Sequence, residues 1–234
     1  MLTAASAAGH ALAAPLQLGA DASYHYLVRD GGDPKVEGRD DLDEFETVAT
    51  ALQSLGVRRE VEQPQLYRIV AALMSLGNVT FVEDGDGCGV AAGAAAAALA
   101  RAAELLGVDG PRLDGALRKR TIKAGAQDIE TPLSPTAAGF ARDSLTKVVY
   151  SSLFDWLVDA INEKAAGEFL NSTSKFIGVL DIFGFEILQV NSFEQLCINY
   201  VNEMLQEHFN EMVFESEQRL IPVSYTHLPS PRDS

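Results

Sequence analysis

The chain has 234 residues, 47% of them hydrophobic, and a mean hydropathy of +0.04, the composition of a globular piece with a core. Its net charge of −15 and pI near 4.6 argue against nucleic acid as a partner and against an electrostatic membrane anchor, since both need a basic face. No run approaches the roughly 18 uninterrupted apolar residues of a membrane span, and no Lys or Arg precedes the apolar N-terminal residues as in a secretory signal.

In chain order, residues 12–27 end in a short aromatic strand or turn at Tyr24-His25-Tyr26-Leu27, and Gly31-Gly32-Asp33-Pro34 is a turn cluster. Asp40-Asp41 caps a helix predicted to run to about Ser54, where an acidic first turn complements the helix dipole, and Gly56 stops it. Leu66, Ile69, Val70, Leu73 and Leu76 recur at helical spacing and describe a second amphipathic helix closed by Gly77-Asn78. Val79 to Val82 reads as a short strand, and the Gly- and Asp-rich stretch from Glu83 to Gly93 as a solvated loop. The low-complexity tract from Ala91 to Ala103 has the propensity for helix, and its blandness suggests a tolerant surface insertion.

From Leu117 to Pro132 the pattern is hairpin-like, with the basic run Arg118-Lys119-Arg120 at its start. A helix of about 45 Å is expected from Pro135 to Lys164, with Leu145, Val149, Leu153, Trp156 and Ala160 as its inward stripe. Phe154 and Trp156 are expected in the core. Cys88 and Cys197 supply neither a disulfide framework nor metal-ligand spacing, and both are expected to be buried as small apolar side chains.

The most informative stretch is Lys175 to Gln218. An apolar strand from Phe176 to Leu180 breaks at Asp181 into the turn Asp181-Ile182-Phe183-Gly184-Phe185-Glu186, and a long helix starts near Asn191-Ser192. A strand that delivers an Asp to its C-terminal end, with a Gly shortly after, puts a carboxylate and an unencumbered N–H at a sheet rim. Phosphates and Mg²⁺ are handled at such rims in α/β proteins. As bare chemistry, the Asp181 and Glu186 carboxylates also match acid/base hydrolysis of a sugar, but nothing else in the chain supports that. Ser192 with Gln195 three residues on has capping-box spacing. Phe193, Cys197, Tyr200 and Met204 make one stripe, the pattern of a buried amphipathic helix.

The turn, the run Asn191-Ser192-Phe193-Glu194-Gln195-Leu196-Cys197-Ile198-Asn199-Tyr200, and His208-Phe209-Asn210 resemble switch II and the relay helix of the myosin motor domain. Tyr24 to Leu27, Asp40 to Phe45, Leu66 to Val79, Ala141 to Lys147 and Leu153 to Val158 resemble that family's upper 50-kDa region, in the same order. Kinesins share an Asp-x-x-Gly-x-Glu switch, but the run from Asn191 to Tyr200 favours myosin.

The resemblance implies a mostly helical α/β fold: a partial P-loop NTPase motor over residues 1–218 that keeps a remnant of the central sheet. Residues 219–234, where Ile221-Pro222 should end the helix, match nothing in the family and read as an unrelated disordered tail. Met1 is expected to be an internal residue of a longer reading frame. In a switch of this kind Asp181 suits the outer coordination shell of Mg²⁺, and Gly184 suits donation of its N–H to the γ-phosphate, because no Cβ blocks the approach. Glu186 suits an ion pair with an Arg of switch I. Arg120, Gln127 and Asp128 fall in the hairpin that resembles the actin-contacting loop. Gln127 stands where many unconventional myosins carry an acidic or phosphorylatable residue, a departure that Asp128 beside it could offset.

The implied function is a fragment of a cytoplasmic, cytoskeletal motor that couples ATP hydrolysis to movement on actin. Light chains or calmodulin would bind only through other regions. No Gly-x-x-x-x-Gly-Lys-[Ser/Thr] loop occurs, and the switch I segment is also lacking, so the chain alone is expected neither to bind ATP and Mg²⁺ tightly nor to hydrolyse ATP. The alternative is a helical interaction module with no ATPase activity.

Overall fold

The computed structural model describes residues 1–16, 18, 24–28, 38–124, 127–166 and 177–225. The turn cluster 31–34, Phe176 and the residues 226–234 lie outside them. The chain divides into two compact units, Met1–Ser172 and Thr173–Ser234.

The first unit is built around one helix. Short α1 (Leu2–Ala7) and a 3₁₀ turn at Ala14–Leu16 precede α2 (Asp41–Ser54), whose N-cap Asp40 accepts from the Leu42 and Asp43 N–H groups. Asp41, Asp43 and Glu44 fill its first turn, where the dipole favours negative charge. Gly56, at φ +89°, ends the run in the left-handed region that favours glycine. Helix α3 (Glu62–Gly77) is buried along two sides of its length. Tyr67, Ala71 and Met74 pack with Phe45, Leu52, Val57, Leu16 and Tyr24 in one cluster. Leu73 and Leu76 pack with Val79, Leu99, Ala102, Leu113 and Leu117 in a second. A helix apolar on more than one face belongs inside a domain, which is where α3 sits.

Gln63, fully buried at the start of α3, donates from Nε2 to the carbonyls of Ala49 (2.8 Å) and Val57 (3.1 Å). It thereby ties α2 to the first turn of α3 and gives the Val57 carbonyl, in the turn after α2, a donor.

Three expectations for this unit are corrected. The stretch 83–93 is not a solvated loop: β1 (Phe81–Asp84) and β2 (Gly87–Val90) form an antiparallel hairpin that pairs Phe81 with Val90 and Asp84 with Gly87, and Cys88 is buried. The Ala-rich tract is not a surface insertion either. It is α4 (Ala94–Leu106), whose Ala95, Leu99, Ala102 and Ala103 are buried, several of them against α3. Small side chains let two helix backbones approach closely, so composition that reads as bland in sequence serves as packing in space. The third correction concerns Phe154 and Trp156, expected in the core but 56% and 43% exposed. They lie on α6 (Pro135–Ala166), beyond Leu145 and Val149, the part of the stripe that reaches the second cluster.

Between them, α5 (Gly110–Arg118) is capped by Asp109, which accepts from Arg112 N–H at 2.8 Å. It leads into the expected hairpin, β3 (Lys119–Ala124) and β4 (Gln127–Pro132), in the register Arg120 opposite Thr131 and Lys123 opposite Asp128.

The second unit consists of residues without regular secondary structure from 177 to 192, followed by α7 (Phe193–Tyr225), about 50 Å long. The strand expected over 176–180 is absent from its described part, 177–180, which pairs with no other described strand. A central-sheet strand exists only through ladders on its edges, whereas both hairpins here close between neighbouring segments. Helix α7 also continues through Pro222 instead of ending there. The proline, three residues from the helix terminus, leaves one backbone hydrogen bond of the helix unmade. The stripe Phe193, Cys197, Tyr200 and Met204 is exposed, so the expectation of a buried helix and a buried Cys197 is not met.

Candidate functional site

Among the described residues no strand pairs with the stretch from Asp181 to Glu186, and α7 holds it through polar side chains. Ser192 precedes the helix, and Gln195 Oε1 accepts from Ser192 N–H at 2.9 Å, the reciprocal half of the expected capping box. Ser192 Oγ also reaches Glu194, whose carboxyl is held below its usual range by that hydroxyl and by its own backbone N–H. Asn191 closes the preceding bend by accepting from Leu188 N–H (3.0 Å) and donating to Leu188 C=O (2.9 Å).

From within the helix, Asn199 and Asn202 reach back to the turn. Asn199 Oδ1 accepts from Glu186 N–H at 2.7 Å, and its Nδ2 donates to Glu186 C=O at 2.9 Å. Asn202 Nδ2 donates to Phe183 C=O at 2.8 Å. Gln195 Nε2 lies 3.3 Å from Glu186 Oε2. The four positions 195, 199, 202 and 206 share one helix face by their spacing. Sequence reasoning identified Gln195 only as a cap and missed both asparagines. The available signal was two poor helix formers three apart inside a long helix, which points to side chains used for backbone contacts elsewhere.

Of the residues expected to act, Asp181 and Gly184 are exposed, Glu186 is half-buried, and all three lie in this one clipped turn. A Cβ added at Gly184 would meet nothing within 4 Å, so the space on that side of the backbone is open. Asp181 is an exposed carboxylate. Among the described residues no group of three or more His, Cys, Asp or Glu could hold a metal by itself. A single exposed carboxylate fits an outer-shell contact to a hydrated Mg²⁺ that is held mainly by other groups.

The other candidate residues lie in the first unit. Arg120 and Asp128 are exposed on the β3–β4 hairpin, where Lys119 pairs with Glu130 at 2.8 Å across the strands and Ile122 faces Ile129, both about half exposed. Gln127 sits opposite Ala124 at the hairpin's closed end.

A polar cluster that sequence reasoning did not find closes α3 in the same unit. Arg142, on α6 and only 8% exposed, donates from Nη1 to Val79 C=O at 2.6 Å and, more weakly, to Gly77 C=O at 3.4 Å. A guanidinium on the last carbonyls complements the helix dipole. Asp143 accepts from Arg142 Nε (2.8 Å) and from the Tyr26 hydroxyl (2.6 Å), and His25 N–H donates to Asn78 Oδ1 at 2.9 Å. Burial pushes the Asp143 carboxyl up, but the hydrogen bonds from Tyr26 and Arg142 outweigh it and leave it below the usual range. Burial and the bond to Asp143 raise the Tyr26 phenol. Beside this cluster a groove of about 900 Å³ runs between Leu27, Leu73, Met74, Lys147, Tyr150 and Phe154.

Comparison with known proteins places the chain. The myosin head (motor domain) family model matches residues 3–221. Myosin-2 of Saccharomyces cerevisiae is 41% identical over 172 residues, covering 73% of this chain and 11% of that protein. Unconventional myosin-Ia of Mus musculus is 39% identical over 182 residues, covering 75% of this chain and 17% of that protein. Myosin-17 of Arabidopsis thaliana is 42% identical over 177 residues, again 75% of this chain and 11% of the relative. The chain thus spans a small part of the length of the curated relatives it matches.

Proposed function

The chain belongs to the myosin motor-domain family, and we propose that its residues 181–186 form the nucleotide-sensing switch of an actin-based motor, with α7 as the relay that carries the switch's position outward. The observation that carries this reading is the polar fastening of the turn to α7: Asn199 on Glu186 and Asn202 on the Phe183 carbonyl. A phosphate-sensing turn does mechanical work only if its displacement is transmitted, and a helix of 33 residues bonded to the turn's backbone is a stiff element for that purpose.

In this reading ATP is the substrate, on a P-loop NTPase core whose phosphate-binding loop and switch I are supplied by sequence other than these 234 residues. Gly184 presents its N–H to the γ-phosphate from an open face, and Glu186 pairs with a switch I Arg to close the site over the attacking water. Asp181 would hold Mg²⁺ through one of its waters, and the ion, bound with the nucleotide, would neutralise phosphate charge. The β3–β4 hairpin, with Arg120, Gln127 and Asp128, contributes to the actin-facing surface. A cytoplasmic, cytoskeletal location follows from that partner.

The test uses the complete motor that contains these residues. Gly184→Ala puts a methyl where the backbone must approach phosphate, and Glu186→Ala leaves the switch I Arg without its partner. Both should leave initial ATP binding intact and slow single-turnover hydrolysis roughly a hundredfold, the scale of about 3 kcal/mol of preorganised electrostatics. Exchanging the charges of Glu186 and its Arg should recover part of the loss. Hydrolysis at the unmodified rate in Glu186→Ala would overturn the assignment.

A further inference from the structure

Glu186 is held by α7 at three points, and the chemistry of the holding groups is specific. One side-chain amide, that of Asn199, takes both polar groups of Glu186's backbone, accepting from its N–H at 2.7 Å and donating to its C=O at 2.9 Å. Only a group with a donor and an acceptor side by side can do this; a carboxylate accepts only, and a hydroxyl lacks the span. One turn earlier, Gln195 divides its amide. Its Nε2 donates toward the Glu186 carboxylate at 3.3 Å, while its Oε1 accepts from Ser192 N–H at 2.9 Å. The group that orients the carboxylate is therefore also the group that caps the helix. Asn is a poor helix former, and Asn199 occupies the seventh position of a 33-residue helix, where a surface role alone would favour a residue with better propensity.

We propose that Asn199 and Gln195 are positioning residues for Glu186: Asn199 fixes its peptide, and Gln195 aims its carboxylate and links that aim to the first turn of α7. The inference rests on the switch reading of Glu186 and adds where its geometry comes from. When Glu186 swings away, Gln195 loses one partner and keeps the other, so the event registers at the helix start through Ser192. Asn202 holds a different residue, Phe183, and does not supply this aim.

The first measurement needs no nucleotide. Amide hydrogen exchange on the 234-residue chain should show the Glu186 N–H protected, and Asn199→Ala should speed its exchange by about tenfold, the worth of one hydrogen bond. Asn199→Asp keeps the acceptor and should keep most of that protection. In the complete motor, Asn199→Ala should slow single-turnover hydrolysis about tenfold while the ATP-binding rate stays within about twofold. Gln195→Glu preserves the acceptor for Ser192 N–H but sets a second carboxylate against Glu186. Repulsion between the two carboxylates turns Glu186 from its aim, so hydrolysis should be slowed about tenfold while the ATP-binding rate stays within about twofold. Unchanged Glu186 exchange in Asn199→Ala overturns the clamp directly. Slow hydrolysis in Glu186→Ala alongside normal rates in both amide variants overturns the positioning roles and leaves the switch reading standing. Normal hydrolysis in Glu186→Ala itself removes the switch reading.

Discussion

The two units of this chain are ordered by different physics. Residues 1–166 bury two apolar clusters on either side of α3, including side chains such as Leu76 and Val79 at 0% exposure. Residues 177–225 have no buried side chain among those described: Ile177 is fully exposed, and Phe183, Phe193 and Phe214 are each more than 60% exposed. What holds the second unit is a set of directional bonds from Asn191, Gln195, Asn199 and Asn202. Burial holds a structure in one place because every displacement opens a void. A few polar clips hold it in one place at a time, because each can be exchanged for another partner at small net cost. The first arrangement suits a frame, and the second suits a part that moves.

Paired truncations test that contrast most severely. Leu76→Ala should destabilise the first unit by about 3 kcal/mol through lost transfer energy and a cavity, whereas Leu196→Ala, at a 64% exposed position of α7, should change stability by less than about 0.5 kcal/mol. Denaturant titrations of the two variants, followed by circular dichroism, give both numbers. Comparable effects would show that α7 buries its face after all.

Polar groups inside the first unit should also be costly to remove, unlike those that hold residues 181–186. Gln63→Met conserves volume but removes both bonds and leaves the buried Val57 carbonyl without a donor, for a loss of about 2 kcal/mol in the same titration. A smaller penalty is expected at the end of α3. A Cβ at Gly77 would sit 2.6 Å from the Tyr26 ring, so Gly77→Ala must displace that ring from Asp143 and Thr146. The expected cost is about 1–2 kcal/mol, since the ring lies near the surface and has room to shift. Tyr26→Phe in the same background should then cost nothing further, because its hydroxyl bond is already broken.

The smallest effect is in pH. Asp143 is held below its usual range in the folded chain, so it binds a proton less readily folded than unfolded. Its contribution is complete above the ordinary Asp pKa near 4 and is lost as pH falls through the lower folded value. Asp143→Asn should flatten the acid limb of the stability curve below about pH 4 and leave its shape at pH 6–8 unchanged. Monitoring Tyr26 and the helical signal through an acid titration checks this.

Much of the frame was legible before any coordinates. The Asp40 cap, the Gly56 stop, the period of Leu66 to Leu76 and the Leu117–Pro132 hairpin are local signals, and local signals persist because capping and turn geometry depend on neighbours in sequence. The misreadings share a cause. The Ala-rich tract, the hairpin at 81–90 and the exposure of Trp156 depend on which surface lies opposite, and nothing within a short window records that. The strand expected at 176–180 failed for the same reason, since a strand is a property of a pair.

The sequence alone determined the family and several of the helices, among them α2, α3, α6 and the start of α7, because these are carried by residue types and short spacings. Tertiary structure decided how that turn is held. Whether an amide in the middle of a helix points at water, at its own backbone or at a loop thirteen residues back depends on the path of that loop in space. Only coordinates bring Asn199 within 2.7 Å of the Glu186 N–H, and a contact of that length exists or not by differences of an ångström that no pattern of residues encodes.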